Sequence, residues 1–367
     1  MHTLKVKLEE RERSYPIYIG RGLLSKLGEV ARRHGLPERV AVIADSTVAE
    51  LYGEAALSSL RGAGYTAELL TFPPGEASKT LETAAGLYDE LLARRLDRRS
   101  AIIALGGGVT GDLGGFVAAT YLRGIPWAVV PTTLLAQVDA AIGGKTGVDH
   151  PRGKNLIGAF HQPRFVLTDP ELLSTLPRRE LHAGLAEVTK SALIWDEALF
   201  CFIEERLAAL LSGDLAALEE AIAGAARVKA EVVSRDEREG GLRRILNFGH
   251  TLGHALEAAT GYRDFLHGEA VAWGMLAAVW LSHERGLLAS AERARVEAVL
   301  RRLPRPPLPE LPPGELLGYI RHDKKVLGGR LHFVLLRRIG EAVADTGIRE
   351  EDLLAALEYL KSLEGKP

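Results

Sequence analysis

The period of the hydrophobic pattern changes half-way along this chain. In the first half, apolar runs at residues 39–44, 68–72, 101–105 and 128–130 are separated by helical spacing over 51–63 and 80–96. A Pro73-Pro74-Gly75 turn stands before the second of those helical stretches. Buried strands alternating with helices of this length build a parallel sheet covered on both faces. From about Thr175 the pattern is helical almost throughout, over 180–195, 197–211, 214–234, 248–260 and 268–284. The expectation is an α/β domain over residues 1–174 and an all-α domain over 175–367, divided near Leu173 to Pro177. A length of 367 residues suits two domains.

Charge narrows the partners. Lys plus Arg at 46 against Asp plus Glu at 48 leaves a net charge of -2, too little to attract nucleic acid or an anionic membrane as a whole. An anionic ligand must therefore be met locally. Only 12 of the 46 basic residues are lysines, and Lys79, Lys145, Lys154, Lys190, Lys229, Lys324 and Lys325 all fall in glycine- or histidine-bearing runs. Those positions call for compact point charges rather than guanidinium forks.

The single cysteine, Cys201, follows Leu199 and Phe200 on what reads as a buried helix face; it suits a reducing, cytoplasmic setting. Residues 1–10 alternate apolar and charged side chains like a strand and lack the apolar core of a signal peptide. The longest apolar stretch, 270–281, is about half what a membrane span needs and reads as a buried helix. Residues 302–313 hold six of the 17 prolines, between helical segments, and read as a rigid loop rather than a ligand for a proline-recognition module.

Three constellations carry chemistry. After the run at 101–105 come Gly106, Gly107, Gly108, Val109, Thr110, Gly111 and Asp112, and Gly106, Gly108 and Gly111 fit G-x-G-x-x-G. Such glycines let backbone N–H groups approach a pyrophosphate at a helix N-terminus, as in a Rossmann-like nucleotide-binding domain, although a tight glycine turn without ligand has the same spacing. The usual acidic residue about twenty positions on is replaced by Val129 and Val130, so Asp45, ending an earlier strand, is the better ribose-hydroxyl candidate. Next, Asp139 is followed by Gly143, Gly144, Lys145, Thr146, Gly147, then Gly153, Lys154 and Asn155. Glycine-flanked lysines with an amide suit phosphate recognition without the Walker spacing.

The third constellation is metallic. His250 and His254 lie four apart on one helical face, and His267 follows with Gly268 and Glu269. Thr251 stands where a zinc protease carries its general-base Glu, so protease chemistry is disfavoured. Two histidines and a carboxylate holding a divalent metal with an open position remain a reasonable reading.

Taken together the runs resemble the 3-dehydroquinate synthase family in order and spacing over roughly residues 15 to 355. The resemblance rests on 106–120, Pro131 to Thr133, Gln137 to Asp139 with 142–147, Ala183 to Lys190, 246–254, His267 to Val271, and Asp323 to Lys325. It implies an NAD-binding α/β domain, a helical metal-binding domain and a cleft site between them. The implied reaction converts 3-deoxy-D-arabino-heptulosonate 7-phosphate to 3-dehydroquinate and phosphate, by transient oxidation, phosphate elimination, re-reduction and intramolecular aldol closure. The implied cofactors are NAD and Zn2+ or Co2+.

The resemblance also implies roles. Glu187, His250 and His267 would ligate the metal, leaving His254 to the substrate rather than pairing it with His250. Lys229 and Arg243 would hold the substrate carboxylate. Lys145, Asn155, Asn247, His254 and one of Lys324 and Lys325 would hold the phosphate, with Asp139 and Lys190 beside them. NAD contacts would come from Asp45, Glu76, Lys79, Gly107, Gly108, Val109, Thr110, Gly111, Asp112, Thr132, Thr133, Lys145, Lys154, Leu172, Leu173, Ser174, Thr175 and Glu180. Arg123 would reach in from a second subunit of a homodimer. Thr189, Ser191 and Ala192 around Lys190 depart from the commoner family residues without changing charge.

Three competitors remain. A cyclase acting on an uncarboxylated sugar phosphate is opposed by Lys229 and Arg243, two cations that would be left without their anion. A metal-dependent polyol dehydrogenase is opposed by the phosphate-directed cations. A protein that only binds a dinucleotide and a metal is the third.

Overall fold

The computed structural model describes residues 14–310, 312–322, 326–327, 330–331, 333–345 and 347–363. The strand expected over residues 1–10 lies outside them. The first half holds β1 (Ile17–Ile19), α1 (Leu27–Arg33), β2 (Arg39–Asp45), α2 (Ser46–Val48), α3 (Glu54–Gly62), β3 (Thr66–Phe72), α4 (Leu81–Ala93), β4 (Ser100–Gly106), α5 (Gly108–Thr120) and β5 (Trp127–Pro131). It continues with β6 (Lys145–His150), β7 (Gly153–Phe160) and β8 (Val166–Thr168). Strands β2 to β5 stand where the apolar runs place them.

Six strands form one parallel sheet in the order β1-β8-β5-β4-β2-β3. Its side chains alternate between two cores, Val40, Val42 and Ala44 packing on one face and Ala41 and Ile43 on the other. Both faces are dry, which explains why β2 and β4 read as continuous apolar runs rather than alternating ones. From β2 the chain steps one way to β3 and then the other way to β4. The crevice between the carboxyl ends of β2 and β4 is therefore the topological switch point, where open α/β sheets bind ligands. Asp45 ends one of these strands and Gly106 the other.

The second half comprises α6 (Arg178–Trp195), α7 (Glu197–Ser212), α8 (Leu215–Arg235), α9 (His250–Ala259), α10 (His267–Glu284), α11 (Ser290–Arg302), α12 (Pro313–His322) and α13 (Glu350–Leu363). Asp196 and Asp214 cap α7 and α8 by accepting from the backbone of Leu199 and Ala217, each cap contributing about 1 kcal/mol. The apolar stretch read as a buried helix is α10, enclosed on all sides by its neighbours. The proline-rich segment after Arg302 is irregular chain between α11 and α12.

Three departures from the expected pattern stand out. The helical half also carries the ladder β9 (Val326–Leu327) with β10 (Arg330–Leu331) and the hairpin β11 (Phe333–Arg338) with β12 (Glu341–Asp345). The second hairpin docks on α10, where Ser282 Oγ accepts from Leu336 N at 2.9 Å. In the first half, the glycine-lysine run read as a phosphate loop is an antiparallel hairpin, β6 with β7. Cys201 is half-buried, its Sγ 3.5 Å from the Arg295 guanidinium, rather than sunk in the core.

Candidate active site

The metal-type cluster is set by helix crossings at which side chains are missing. A Cβ on Gly274 of α10 would fall 1.8 Å from the carbonyl oxygen of Gly249, just before α9. One on Gly268 would fall 1.9 Å from the Ala183 oxygen of α6. Only glycine admits such approaches. They bring His267 at the start of α10, His250 at the start of α9 and Glu187 on α6 to one point. Glu187 Oε1 lies 3.8 Å from His250 Nε2 and 3.7 Å from His267 Nε2.

That oxygen is buried and has no hydrogen-bond partner, although Oε2 of the same carboxylate takes the Lys190 ammonium. An orphaned buried carboxylate oxygen between two imidazoles is the donor set of a divalent cation such as zinc. Each imidazole is oriented from behind. His250 Nδ1 meets the Phe248 carbonyl oxygen at 3.1 Å, and His267 Nδ1 meets Glu257 Oε2 at 3.3 Å. Such backing fixes the tautomer that turns Nε2 toward a metal. His250 and His254 do not fall in one metal-type group: His254 gathers with Glu257 and His267 in a second set that could hold a metal, its ring 5.4 Å from that of His250.

Beside this triad lies a chain of alternating buried charges. Lys190 Nζ is 3.6 Å from Asp139 Oδ1, which takes Lys229 Nζ at 2.6 Å. Burial alone would raise the Asp139 pKa, but the two ammonium groups outweigh it and hold the carboxyl well below the usual range. Gly184 makes this possible, since a Cβ there would fall 2.7 Å from Leu134 Cβ, where the segment leading to Asp139 crosses α6.

Asp139, Lys145, Asn155, Lys190, Lys229, Arg243, Asn247, His250 and His267 line one cleft of about 590 Å³ between the halves of the chain, with Asp112 at its dinucleotide end. Glu239, missed by the sequence reading, faces the same cleft. Its carboxylate takes the Lys145 ammonium, and its Oε1 accepts from Asn247 Nδ2 at 3.1 Å. Burial works against the Glu239 charge, yet Lys145 and Asn247 hold its pKa below the ordinary glutamate value. It sits in a charged run that reads as solvated loop, so no sequence signal marked it. Asp236 anchors the same loop, accepting from the backbone of Gly240, Gly241 and Arg243, and these bonds bring its pKa down to about 2.

The dinucleotide-type residues gather at the switch point. Gly107 caps α5. The hydroxyls of Thr110, in the first turn of α5, and Thr132, just after β5, are buried without hydrogen-bond partners and can serve a polar ligand. The glycine spacing needs one correction. A Cβ on Gly111 would touch only Val129 at 3.8 Å, whereas Gly114 and Gly115 would clash with Ala104 at 2.9 Å and Trp127 at 2.8 Å. The close helix–sheet contact belongs to that later pair. Lys79, 4% exposed, donates to Asp112 Oδ2 at 2.6 Å and also to the Asn155 side-chain oxygen.

Other expected residues are placed differently. Asp45 caps α2 by accepting from Val48 N at 3.0 Å, so one carboxylate oxygen is already engaged. Thr133 Oγ1 accepts from Ala136 N at 3.2 Å. Leu172 and Leu173 point into the cores and leave only backbone for a ligand, while the Ser174 and Thr175 hydroxyls bond to Glu171 O and Tyr52 Oη. Lys154 pairs with Glu76 at 3.5 Å and covers the Tyr262 ring at the cleft mouth. Glu180, in the first turn of α6, has its pKa raised by burial and by Glu269. Arg123 is exposed and does not line the cleft. Lys324 and Lys325 lie outside the described residues.

Two family models match in tandem, 3-dehydroquinate synthase N-terminal over residues 69–183 and 3-dehydroquinate synthase C-terminal over 184–326. The chain belongs to the 3-dehydroquinate synthase family. A 3-dehydroquinate synthase from Symbiobacterium thermophilum is 52% identical to it, over 96% of this chain and 100% of that protein. Among solved structures, 2-epi-5-epi-valiolone synthase from Streptomyces hygroscopicus subsp. jinggangensis 5008, with NAD+ and Zn2+ bound, aligns at TM-score 0.87 with 33% identity, over 98% of this chain and 100% of that one. A 2-deoxy-scyllo-inosose synthase complexed with carbaglucose-6-phosphate, NAD+ and Co2+ aligns at TM-score 0.85 with 29% identity, over 94% and 96%. The α/β-plus-helical fold of the 3-dehydroquinate synthase family is thus shared with cyclases named for different products.

Proposed function

We propose that this chain converts 3-deoxy-D-arabino-heptulosonate 7-phosphate to 3-dehydroquinate and phosphate, as a carbon–oxygen lyase that uses NAD and a divalent metal within each turnover. One observation carries the choice of substrate. Arg243, 3% exposed, and Lys229, 7% exposed, face the cleft beside the metal-type triad. Lys229 shares the single Asp139 carboxylate with Lys190, and Arg243 donates to a backbone carbonyl, so the group is short of an anion that a carboxylate on the substrate supplies. Substrates of valiolone- or inosose-forming cyclases lack that group.

Residues 1–174 form the NAD-binding half and residues 175–367 the metal- and substrate-binding half. Glu187, His250 and His267 would hold Zn2+ or Co2+, which would supply a Lewis acid for the substrate hydroxyls, and the residues at the carboxyl ends of β2 and β4 would hold NAD, which would supply a reversible hydride acceptor. Lys190 pairs with both Glu187 and Asp139, and Asp139 aims Lys229 at the carboxylate. Lys145, Asn155, Asn247 and His254 take the phosphate, with Glu239 yielding its place on Lys145 and Asn247 to that dianion. Among the described residues the carboxylate facing His250 is Glu187, which the metal would take, so the proton next to the new carbonyl would pass to the departing phosphate. The remaining task of the protein is positioning and charge stabilisation.

The test is phosphate release by chelator-stripped protein, with NAD and zinc or cobalt returned separately and together. Release that needs both, with no net NADH, is the expected result. Release only from an uncarboxylated heptulose phosphate would overturn the substrate assignment, and steady NADH production from a polyol would favour the dehydrogenase. No helix among the described residues is long and apolar enough to cross a membrane.

The second subunit enters through Arg123. Leu122 (φ 50°), Arg123 (φ 71°) and Gly124 (φ 109°) form three consecutive left-handed residues after α5. Two of them are not glycine, a strain that persists where function holds it. The turn presents Arg123 outward, to the cleft of a second copy in a homodimer. Arg123→Ala and Lys229→Met variants, each inactive alone, are expected to regain up to about a quarter of wild-type activity when refolded together, because mixed dimers restore one whole site. No recovery on mixing would place Arg123 in its own subunit's function.

A further inference from the structure

A half-buried tyrosine outside the lining of the cleft has no part in the chemistry above. Tyr15, just before β1, packs into the core that covers the sheet and carries its hydroxyl to the turn at Gly143 and Gly144. There Tyr15 Oη accepts from Gly143 N at 2.9 Å. The turn needs glycine twice, with φ of 113° at Gly143 and 64° at Gly144. It also needs bare Cα atoms: a Cβ on Gly143 would fall 2.4 Å from Arg243 Nη2, and one on Gly144 would fall 2.3 Å from Gln162 Oε1.

Arg243 is therefore seated against the turn that Tyr15 holds. Its other support is the loop on the far side, where Nη1 donates to the Glu237 carbonyl oxygen and its backbone N–H donates to Asp236 Oδ2 at 3.0 Å. Gln162 ties that loop back across the turn, donating to Glu237 Oε1 at 2.9 Å. The guanidinium is thus gripped between a glycine turn and a loop, and the Tyr15 hydroxyl fixes the turn.

We propose that Tyr15 is a positioning residue for substrate recognition, holding the Gly143–Gly144 turn against which the Arg243 guanidinium is aligned on the substrate carboxylate. Tyr15 touches neither substrate nor cofactor. It acts on Arg243 through the backbone of Gly143, so its effect falls on binding of the carboxylate rather than on the redox or elimination steps. The proposal rests on the reading of Arg243 as a carboxylate-binding residue.

A double-mutant cycle over Tyr15→Phe and Arg243→Lys separates the two ideas, because phenylalanine keeps the ring packing and removes only the acceptor. Tyr15→Phe is expected to raise KM for 3-deoxy-D-arabino-heptulosonate 7-phosphate about fivefold, the size of one lost hydrogen bond, with kcat little changed. In the Arg243→Lys background the same change should have no further effect on KM, since the aligned fork is already gone. A Tyr15→Phe effect of equal size in both backgrounds, or one that lowers kcat and Tm while leaving KM alone, would overturn the proposal. If Arg243→Lys and Arg243→Ala both leave KM unchanged, the carboxylate reading of Arg243 fails instead, whatever Tyr15→Phe does.

Discussion

Glu187→Gln should strip the protein of its metal while leaving it folded. The amide is isosteric with the carboxylate and keeps an oxygen to accept from Lys190, so the surrounding packing survives. What changes is the charge on the buried oxygen that faces both imidazoles, 3.8 and 3.7 Å away. Groups that only back up a metal ligand typically contribute 10- to 100-fold in affinity, so loss of a ligand's own charge should exceed about 100-fold. Metal content after dialysis reads this directly, and phosphate release should fall with it at limiting zinc. His254→Ala is the contrast, since that ring belongs to the other side of His267; it should retain the metal and raise KM. Stoichiometric zinc in Glu187→Gln would remove Glu187 from the ligand set.

Asp139→Ala is the second large effect, and it strikes stability as well as activity. It leaves Lys229 and Lys190, with side chains 9% and 1% exposed, without the carboxylate between them. Breaking a buried ion pair from one side costs about 3–5 kcal/mol. Asp139 itself is 29% exposed, so the loss should sit near the lower end, about 3 kcal/mol at neutral pH. The sign with pH follows from the depressed carboxyl. Its folded pKa lies below the unfolded value of about 4, so the difference from wild type is complete above that pH and narrows as pH falls through the folded pKa. Denaturant titrations at neutral and acid pH measure both. A loss that does not shrink in acid would mean that Asp139 acts through packing rather than charge.

How far the sequence goes depends on the range of the interactions involved. Strands β2 to β5 and helices α6 to α10 were legible because each is announced by its own period. The hairpin of β6 and β7 was not: Gly147, Gly153 and Gly158 thin its side chains, and glycine in a strand reads as turn. The hairpin of β11 and β12 left a signal, the apolar run 333–336 with a turn at Ile339 and Gly340, but it was submerged in the surrounding helical period. The metal triad emerged from resemblance, not from spacing, since helical spacing alone pairs His250 with His254. Glu239, Glu257 and Tyr15 escaped both routes. Glu239 and Tyr15 meet residues 94 and 128 positions away, Lys145 and Gly143, and Glu257 meets His267 ten positions on, across the loop from α9 to α10, so none of these meetings follows from a local period.

The missing side chains at the helix crossings bear on how such a site can change over generations. Gly268, Gly274 and Gly184 bind nothing, yet each sets how closely a ligand-bearing segment can approach the next. Replacing any of them by alanine would wedge two backbones apart while every ligating atom kept its identity. The ligands can be exchanged among types that coordinate metal, whereas the clearances admit no substitute. The heritable core of this centre is therefore a pattern of permitted contact between helices, and new chemistries arise on it by altering what projects into the cleft, not the distances at which the helices cross.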